Sequence, residues 1–507
     1  MTEEKEEALS SAEMAAIDEN CKFFGLSSAQ LMENAGVGIA NAIKSKFEGK
    51  AKNVKVTVMA GKGNNGGDAF VAARHLHLKK GNFNVRILLV GNSKDLRTEE
   101  SRRNWQILKA CGYDMEEITD SSELRARETL LKRSDVIIDA IFGTGVRGKI
   151  REPEATAIDV INEANTAFVI SGDIPSGLDP DTGESEKAVR ANVTVTFHRA
   201  KKGLLKTVAR EHVGELVVAG IGIPEGIENL AGPGDVRLVV RQRKPSSHKG
   251  DNGRVLIVGG GPFSGAPALA ALGALRAGAD WVTIAAPKSV SSVISSLSPN
   301  LIVHPLSSGI LVEKDVPTVL NLVKGHDVVV IGMGLGADEE TKRATRMIIE
   351  DEASKRVVVD ADGFYGLHLP LKMGEEVEDK FVIVTPHAGE FMKMELKGRG
   401  VKVPPPEDMI EERINFVKDF SSANRVTTLM KGPTDIISDG VRVKQNKAGN
   451  AGMTVGGTGD VLAGVTGAFF AIVTDEPLKA ATAAAFVNGA AGDMAFENKG
   501  FGLLATD

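Results

Sequence analysis

The stretch Asn450–Gly464, NAGMTVGGTGDVLAG, sets Gly456, Gly457 and Gly459 beside one acid, Asp460, and runs into apolar sequence from Val461 to Val473. Glycine lets backbone N–H groups come close to a bound anion. A helix beginning here would aim its unpaired N–H groups and the positive end of its dipole at that anion. A carboxylate at such a helix start could take a proton from a substrate hydroxyl beside a phosphate. The same residues also fit a glycine-rich turn with Asp460 as an ordinary helix cap, so the motif alone leaves both roles open.

A second constellation lies near the start of the chain. A strand-like run, Lys55–Ala60, leads into GKGNNGGDAF at 61–70, with a helical pattern expected over Val71–Lys80. The glycines do not fit GxGxxG, and no Walker Lys-Ser/Thr pair follows. Asn64, Asn65 and Asp68 supply amide and carboxylate oxygens, which suit an alkali or alkaline-earth cation or ribose hydroxyls. Read blandly, the asparagines are turn residues and Asp68 a cap. Strands at Val136–Ile141 and Ala167–Ser171 would deliver Asp139, and then Asp173 with Ser176, to their carboxyl ends, where open parallel sheets bind ligands. One such acid is as easily a cap; several on one edge suggest a pocket.

The elements that must hold these residues can be read from periodicity. Helices are expected at Ser11–Phe24, where Met14, Ile17 and Cys21 share a face, and at Ser28–Phe47. Further strands are expected at Val85–Val90, Val193–Phe197 and Glu215–Ala219. In the second half they fall at Arg254–Val258, Trp281–Ala285, Asp327–Ile331, Arg356–Asp360, Phe381–Val384 and Val426–Met430. Helical stretches at Asn104–Ala110, Ala266–Ala277, from Asp460 onward and at Pro477–Phe496 alternate with them. Strands alternating with helices imply parallel sheets covered on both faces. The Pro/Gly-rich run Gly220–Gly234 interrupts the pattern, and a boundary is expected within Gly220–Lys244, placed at 235/236. The loops of the two halves differ, so two unrelated α/β domains are expected rather than a repeat.

The totals agree. A chain of 507 residues exceeds one ordinary core. A net charge of −6 with no basic block argues against nucleic acid. Two cysteines, Cys21 and Cys111, suit a reducing cytoplasm. The acidic N-terminus is no signal peptide, and no apolar stretch approaches a membrane span.

Taken together, the motifs resemble the bifunctional NAD(P)H-hydrate repair enzymes, in which an NAD(P)H-hydrate epimerase is fused to an ADP-dependent NAD(P)H-hydrate dehydratase. GKGNNGGD, VIIDAIFGTGVRG and GDIPSGLD carry the likeness in the first half. SHKGDNGRVLIVGG, FSGAPALAALGALRAG, GMGLG, VVDAD, TPHAGE and NAGMTVGGTGDVLAG carry it in the second. The resemblance implies a Rossmann-like α/β/α domain over 1–235 and a ribokinase-like α/β/α domain over 236–507. It implies interconversion of R and S hydrates in the first. In the second it implies dehydration of the S form with ADP converted to AMP and phosphate.

Residue by residue, the likeness places Asn64, Asn65, Gly66, Gly67 and Asp68 against the hydrate. It puts Gly143, Thr144, Gly145, Val146, Arg147, Gly148 and Lys149 around the dinucleotide phosphates, and Asp173 at the altered ring as acid or base. Asn65, Asp139 and Ser176 would hold a potassium ion. In the second domain Asp460 would be the base, with Ala266, Gly334 and His387 touching the hydrate. Lys431, Gly432, Pro433, Thr434 and Asp435 would line the adenine nucleotide site, and Gly457 and Gly459 would offer backbone donors to the moving phosphoryl group. Asp360, Asp362 and Glu390 would organise magnesium. A homo-oligomer is implied too. Ala69, Met333 and Ala388 depart from the family's usual glycine, proline and proline, and relatives usually carry one more helix after GFGLLATD, which implies a truncated C-terminus. The competing reading is a ribokinase-like small-molecule kinase fused to a non-catalytic dinucleotide-binding module.

Overall fold

Apolar, often β-branched runs in the first half become seven strands of one parallel sheet. They are β1 (Val54–Ala60), β2 (Phe83–Val90), β3 (Asp114–Ile118), β4 (Val136–Ala140), β5 (Phe168–Gly172), β6 (Val193–Phe197) and β7 (Glu215–Ala219). The computed structural model describes residues 8–47, 53–77, 82–145, 148–240, 242–371, 380–396 and 403–507. The chain falls into two units, Met1–Glu225 and Gly226–Asp507, so the segment between Glu225 and the expected 235/236 division belongs with the second.

In the first unit the strand order is β3-β2-β1-β4-β5-β6-β7. Chain direction across the sheet reverses between β1 and β4, which opens a crevice at their carboxyl ends. β4 and β6 are buried throughout, as strands covered on both faces must be. The strand β3, DMEEI, escapes sequence reading because an edge strand keeps few apolar positions. Helix α1 (Ser11–Phe23) starts on a reciprocal Ser10–Glu13 capping box, and Ser11 is bound to Asp181 at 2.6 and 2.7 Å. Helix α2 (Ser28–Phe47) crosses α3 (Asn64–His77) at Gly36, where a Cβ would stand 2.4 Å from Val71 Cβ.

The start of α3 corrects the expectation of a loop through Phe70. Gly66 and Gly67 are inside its first turn. A Cβ on Gly66 would lie 2.0 Å from the Gly61 carbonyl, and one on Gly67 2.5 Å from Ser101 Oγ. The glycines therefore serve close packing of a helix that begins at Asn64, which is exposed, and Asn65, which is buried.

The second unit holds nine strands: β8 (Arg254–Val258), β9 (Trp281–Ala286), β10 (Ile302–Pro305), β11 (Val328–Ile331), β12 (Arg356–Val359), β14 (Phe381–Val384), β16 (Thr427–Met430), β17 (Asp435–Ser438) and β18 (Val443–Asn446). A separate small pair joins β13 (His368–Leu369) to β15 (Glu395–Leu396). The large sheet runs β10-β9-β8-β11-β12-β14-β16-β17-β18. It is not wholly parallel, because β17 and β18 are antiparallel to their neighbours. Too few residues separate β16, β17 and β18 for a crossover, so hairpins are the available geometry.

Two small-residue helices, Gly265–Arg276 and Thr458–Ile472, cross at Gly464, where a Cβ would stand 1.8 Å from the Ala270 carbonyl oxygen. That contact sets the depth at which the second helix begins. Gly464→Ala is expected to destabilise the second unit by about 1–3 kcal/mol through overpacking. Denaturant unfolding that leaves the midpoint unmoved would contradict it.

Candidate active sites

The first site opens at the β1/β4 crevice. A cavity of about 460 Å³ is lined by Asn64, Asn65, Asp68, Gly143, Thr144, Gly145 and Asp173, together with Asp18, Lys62 and Lys201. Gly66 and Gly67 lie behind it in α3. Gly148 and Lys149 do not line it, and Val146 and Arg147 fall outside the described residues.

Asp173 follows β5 in a left-handed conformation, φ 62°, which costs a non-glycine residue about 1–3 kcal/mol. Its two shortest bonds tie it to the neighbouring β6 and to the segment beyond it. Its N–H donates to Val195 O at 2.8 Å, and its Oδ1 accepts from Lys201 Nζ at 2.6 Å. Lys201 is 1% exposed and also donates to Thr196 Oγ1 and Phe197 O, each at 3.0 Å. Two further acids share this field. Burial, then the charges of Asp173 and Asp18, push Asp68 well above the usual carboxyl range. Burial, then Asp173, raises Asp18 to about 6.

Beside the cavity floor lies an all-oxygen group. Asn65 Nδ2 donates to Phe142 O at 2.6 Å and Gly172 O at 3.0 Å. These bonds fix the amide so that Oδ1 is buried with no hydrogen-bond partner. Asp139 is fully buried and accepts from Ser171 Oγ at 2.7 Å, Ser176 N at 2.9 Å and Ser176 Oγ at 2.5 Å. Burial still raises its carboxyl against those bonds.

The second site stands at the carboxyl ends of β12, β14 and β16, three neighbours in the sheet. β12 delivers Asp360, β14 delivers Thr385, His387 and Glu390, and β16 delivers Lys431. The helix Thr458–Ile472 begins above them, earlier than expected. Gly457, φ 102°, is its capping residue, so Asp460 is not the cap. The charges of Asp360, Asp362 and Glu390 all act on Asp460. Burial, then Asp360, raises its carboxyl to about 7, while Lys431 opposes the rise.

Lys431 Nζ donates to Asp360 Oδ1 at 2.9 Å and lies 3.5 Å from Glu390 Oε2. A Cβ on Gly459 would be 3.4 Å from the same Nζ, so the lysine lies against the helix start. Asp360 also accepts from Thr385 Oγ1 at 2.8 Å, and Asp362 from Gly336 N at 3.0 Å. Beyond Lys431 the chain turns outward through exposed Gly432 and Pro433, with Thr434 half-buried. Asp435, raised to about 6 by burial, accepts from Gly432 N at 3.0 Å and Asn446 Nδ2 at 2.9 Å. Gly334 approaches Ala266, with a Cβ there 3.5 Å from Ala266 Cβ. His387 is 59% exposed, its Nδ1 accepts from Gly389 N, and its Nε2 lies 3.6 Å from Glu390 Oε1. The carboxylates expected around magnesium are bridged by Lys431 and Lys393. Among the described residues no group of three or more His, Cys, Asp or Glu is arranged to hold a metal ion.

Sequence reading missed Asp18 and Lys201. Lys201 lies just beyond the carboxyl end of β6, so the strand-end rule that found Asp173 could have found it. Asp18 sits on a helix that precedes every strand, and nothing local marks it.

Two α/β units, each with an acid–lysine cluster at the carboxyl edge of its sheet, define a two-site enzyme. The second unit matches the family model described as NAD(P)H-hydrate dehydratase over residues 255–507, and the first matches that of the YjeF-related protein N-terminus over 28–203. The curated bifunctional NAD(P)H-hydrate repair enzyme Nnr of Archaeoglobus fulgidus is 45% identical over 99% of this chain and 97% of its own. That of Pyrobaculum aerophilum is 43% identical over 99% and 96%. A crystal structure of an ADP/ATP-dependent NAD(P)H-hydrate dehydratase from Bacillus subtilis, co-crystallised with ATP and Mg2+, is 23% identical over 54% of this chain and 92% of its own, with a TM-score of 0.44. The chain belongs to the family of bifunctional NAD(P)H-hydrate repair enzymes. Its two sheets are accordingly the Rossmann-like and ribokinase-like ones. No helix among the described residues is long and apolar enough to cross a membrane.

Proposed function

We propose that the chain repairs hydrated nicotinamide dinucleotides, epimerising R and S hydrates in its first unit and dehydrating the S form in its second with ADP converted to AMP and phosphate. The observation that carries this is Asp460, raised to about 7 by burial and its acidic neighbours, in the first turn of a helix capped by a left-handed glycine. Asp460 takes the proton of the C6 hydroxyl as that oxygen attacks the terminal phosphoryl group. Phosphate then leaves from C6 with the C6–O bonding pair, where hydroxide could not, C5 gives up a proton to water or to the departing phosphate, and the C5–H pair becomes the C5–C6 double bond. Gly457 and Gly459 offer N–H groups to the phosphoryl oxygens, and Lys431–Asp435 border the adenine nucleotide. Ala266, Gly334 and His387 contact the hydrate. Magnesium accompanies the nucleotide phosphates, held by one or two of Asp360, Asp362 and Glu390, since this ion keeps most of its ligands from phosphate and water. The competing kinase would phosphorylate another alcohol and leave no use for the first unit. Recovery of NADH absorbance from S hydrate on adding ADP tests the reading, and phosphate release without that recovery would contradict it.

In the first unit Asp173 exchanges a proton at the altered ring, and Gly143–Gly145 border the dinucleotide phosphates. Potassium fits Asn65, Asp139 and Ser176, because Asn65 Oδ1 is a buried oxygen without a partner and the neighbouring donors are oxygens. When bound it supplies a positive charge beside the buried Asp139 carboxylate. Replacing potassium by choline is expected to lower the R-to-S rate and the unfolding temperature by about 2–4 °C. Asn65→Leu should remove that dependence, and equal values in both salts would contradict the assignment.

A further inference from the structure

Asp18 is a carboxyl group that the mechanism above does not use. It lies on α1 and lines the cavity that also holds Asp173. The two reach the cavity from different layers, one from a helix and one from the sheet edge. Asp173 is fixed by Lys201 at 2.6 Å. Asp18 has no hydrogen-bond or ion-pair partner among the described residues, so nothing competes with a ligand for its oxygens. Its helix is anchored by the Ser10–Glu13 box and by the Ser11–Asp181 bonds, so α1 is held over the cavity.

We propose that Asp18 is the second acid–base group of the epimerase site, acting from the α1 side while Asp173 acts from the sheet edge. This rests on the epimerase reading of that site. In the hydrate, C6 carries a hydroxyl and is bonded to ring N1. Asp18 gives its proton to that hydroxyl oxygen. The C6–O bond breaks, its electron pair leaving with water, while the N1 lone pair forms an N1=C6 bond and leaves a cationic ring. A water molecule on the other face adds to C6 and gives a proton to Asp173, and the N1=C6 pair returns to nitrogen. One water leaves, one enters and the configuration inverts; the reverse reaction exchanges the two roles.

Charge favours this course. The groups acting on Asp18 are Asp173 beyond β5, Lys201 and His198 beyond β6, and Lys22 on its own helix. Asp68 on α3 couples to Asp18, Asp173 and Lys201. Once Asp18 has given up its proton, its carboxylate joins Asp173 beside the single buried Lys201, and the added negative charge favours the transient cation. With Asp18 raised to about 6, both of its protonation states are populated near neutrality, as a reversible transfer requires.

The test uses the full chain and R hydrate in water enriched in oxygen-18. The wild type is expected to take up one label per inversion, faster than the spontaneous exchange. Asp18→Asn should lose conversion and label uptake together by about 10²- to 10⁴-fold, with KM changed by less than about threefold. Asp18→Glu should recover part of the rate. Conversion by Asp18→Asn within about threefold of wild type overturns the proposal, as does wild-type inversion without label, which would mean ring opening at N1–C6. If the asparagine variant does not fold, Asp18→Ser takes its place with the same loss expected, and conversion by it within about threefold of wild type overturns the proposal. A wild type that does not interconvert hydrates above the spontaneous rate overturns the epimerase reading, and this proposal with it.

Discussion

Asp460→Asn is expected to lower turnover of S hydrate by about 10²- to 10⁴-fold while changing ADP affinity by less than about threefold. The amide keeps the carboxylate's shape but cannot accept the hydroxyl proton. The pH profile gives an independent check. With Asp460 raised to about 7, kcat/KM for the wild type should fall with acidification below about pH 7, because only the ionised form is a base. The variant's residual rate should lack that limb. Stability should move the other way. The folded carboxyl titrates above its ordinary value, so its favourable contribution is complete below about pH 4 and is lost as pH rises to about 7. At pH 8 the variant should therefore unfold at higher denaturant than the wild type, by on the order of a few kcal/mol. A variant that loses ADP binding, or is less stable at pH 8, would make Asp460 a structural group.

Asp173→Ala is expected to abolish R-to-S conversion above the spontaneous rate and leave dehydration of pure S hydrate within about twofold. It should also destabilise the first unit. Lys201 is 1% exposed, and a buried cation deprived of its direct partner costs about 3–5 kcal/mol, lessened here by the nearby Asp18 and Asp68. Adding Lys201→Met should restore much of that stability and none of the epimerisation. Thermal unfolding and the chiral assay, run on both variants, separate the two roles of the pair. Restored epimerisation in the double variant would show that Asp173 acts only through the fold.

Much of this was legible because glycines and strand ends are strong punctuation. The strands that carry Asp139, Asp173, Asp360 and Lys431 announce themselves as short apolar runs, since strands buried on both faces need them. The start of α3 was misread because glycines ordinarily disfavour helix. Here Gly66 and Gly67 are required inside one, where backbone and the Met32 side chain leave no room for a Cβ. The hairpins β16–β17–β18 were hidden by the alternation rule for parallel sheets, which says nothing about edges. Asp18 was illegible for a different reason. Its role depends on which helix folds over the cavity, a fact of tertiary packing that no local pattern encodes. The ion pairs of Lys431 with Asp360 and Glu390 were likewise out of reach of local pattern, because they join the ends of three separate strands.

The central claim is that one chain restores both epimers at the expense of nucleotide phosphate. The most direct measurement incubates the full chain with an equilibrated mixture of R and S hydrates and excess ADP, following NADH and phosphate together. The account predicts recovery of the whole hydrate pool, one phosphate released per NADH formed, at a rate beyond spontaneous epimerisation. Recovery that halts at the S fraction, or phosphate released without NADH, would contradict it.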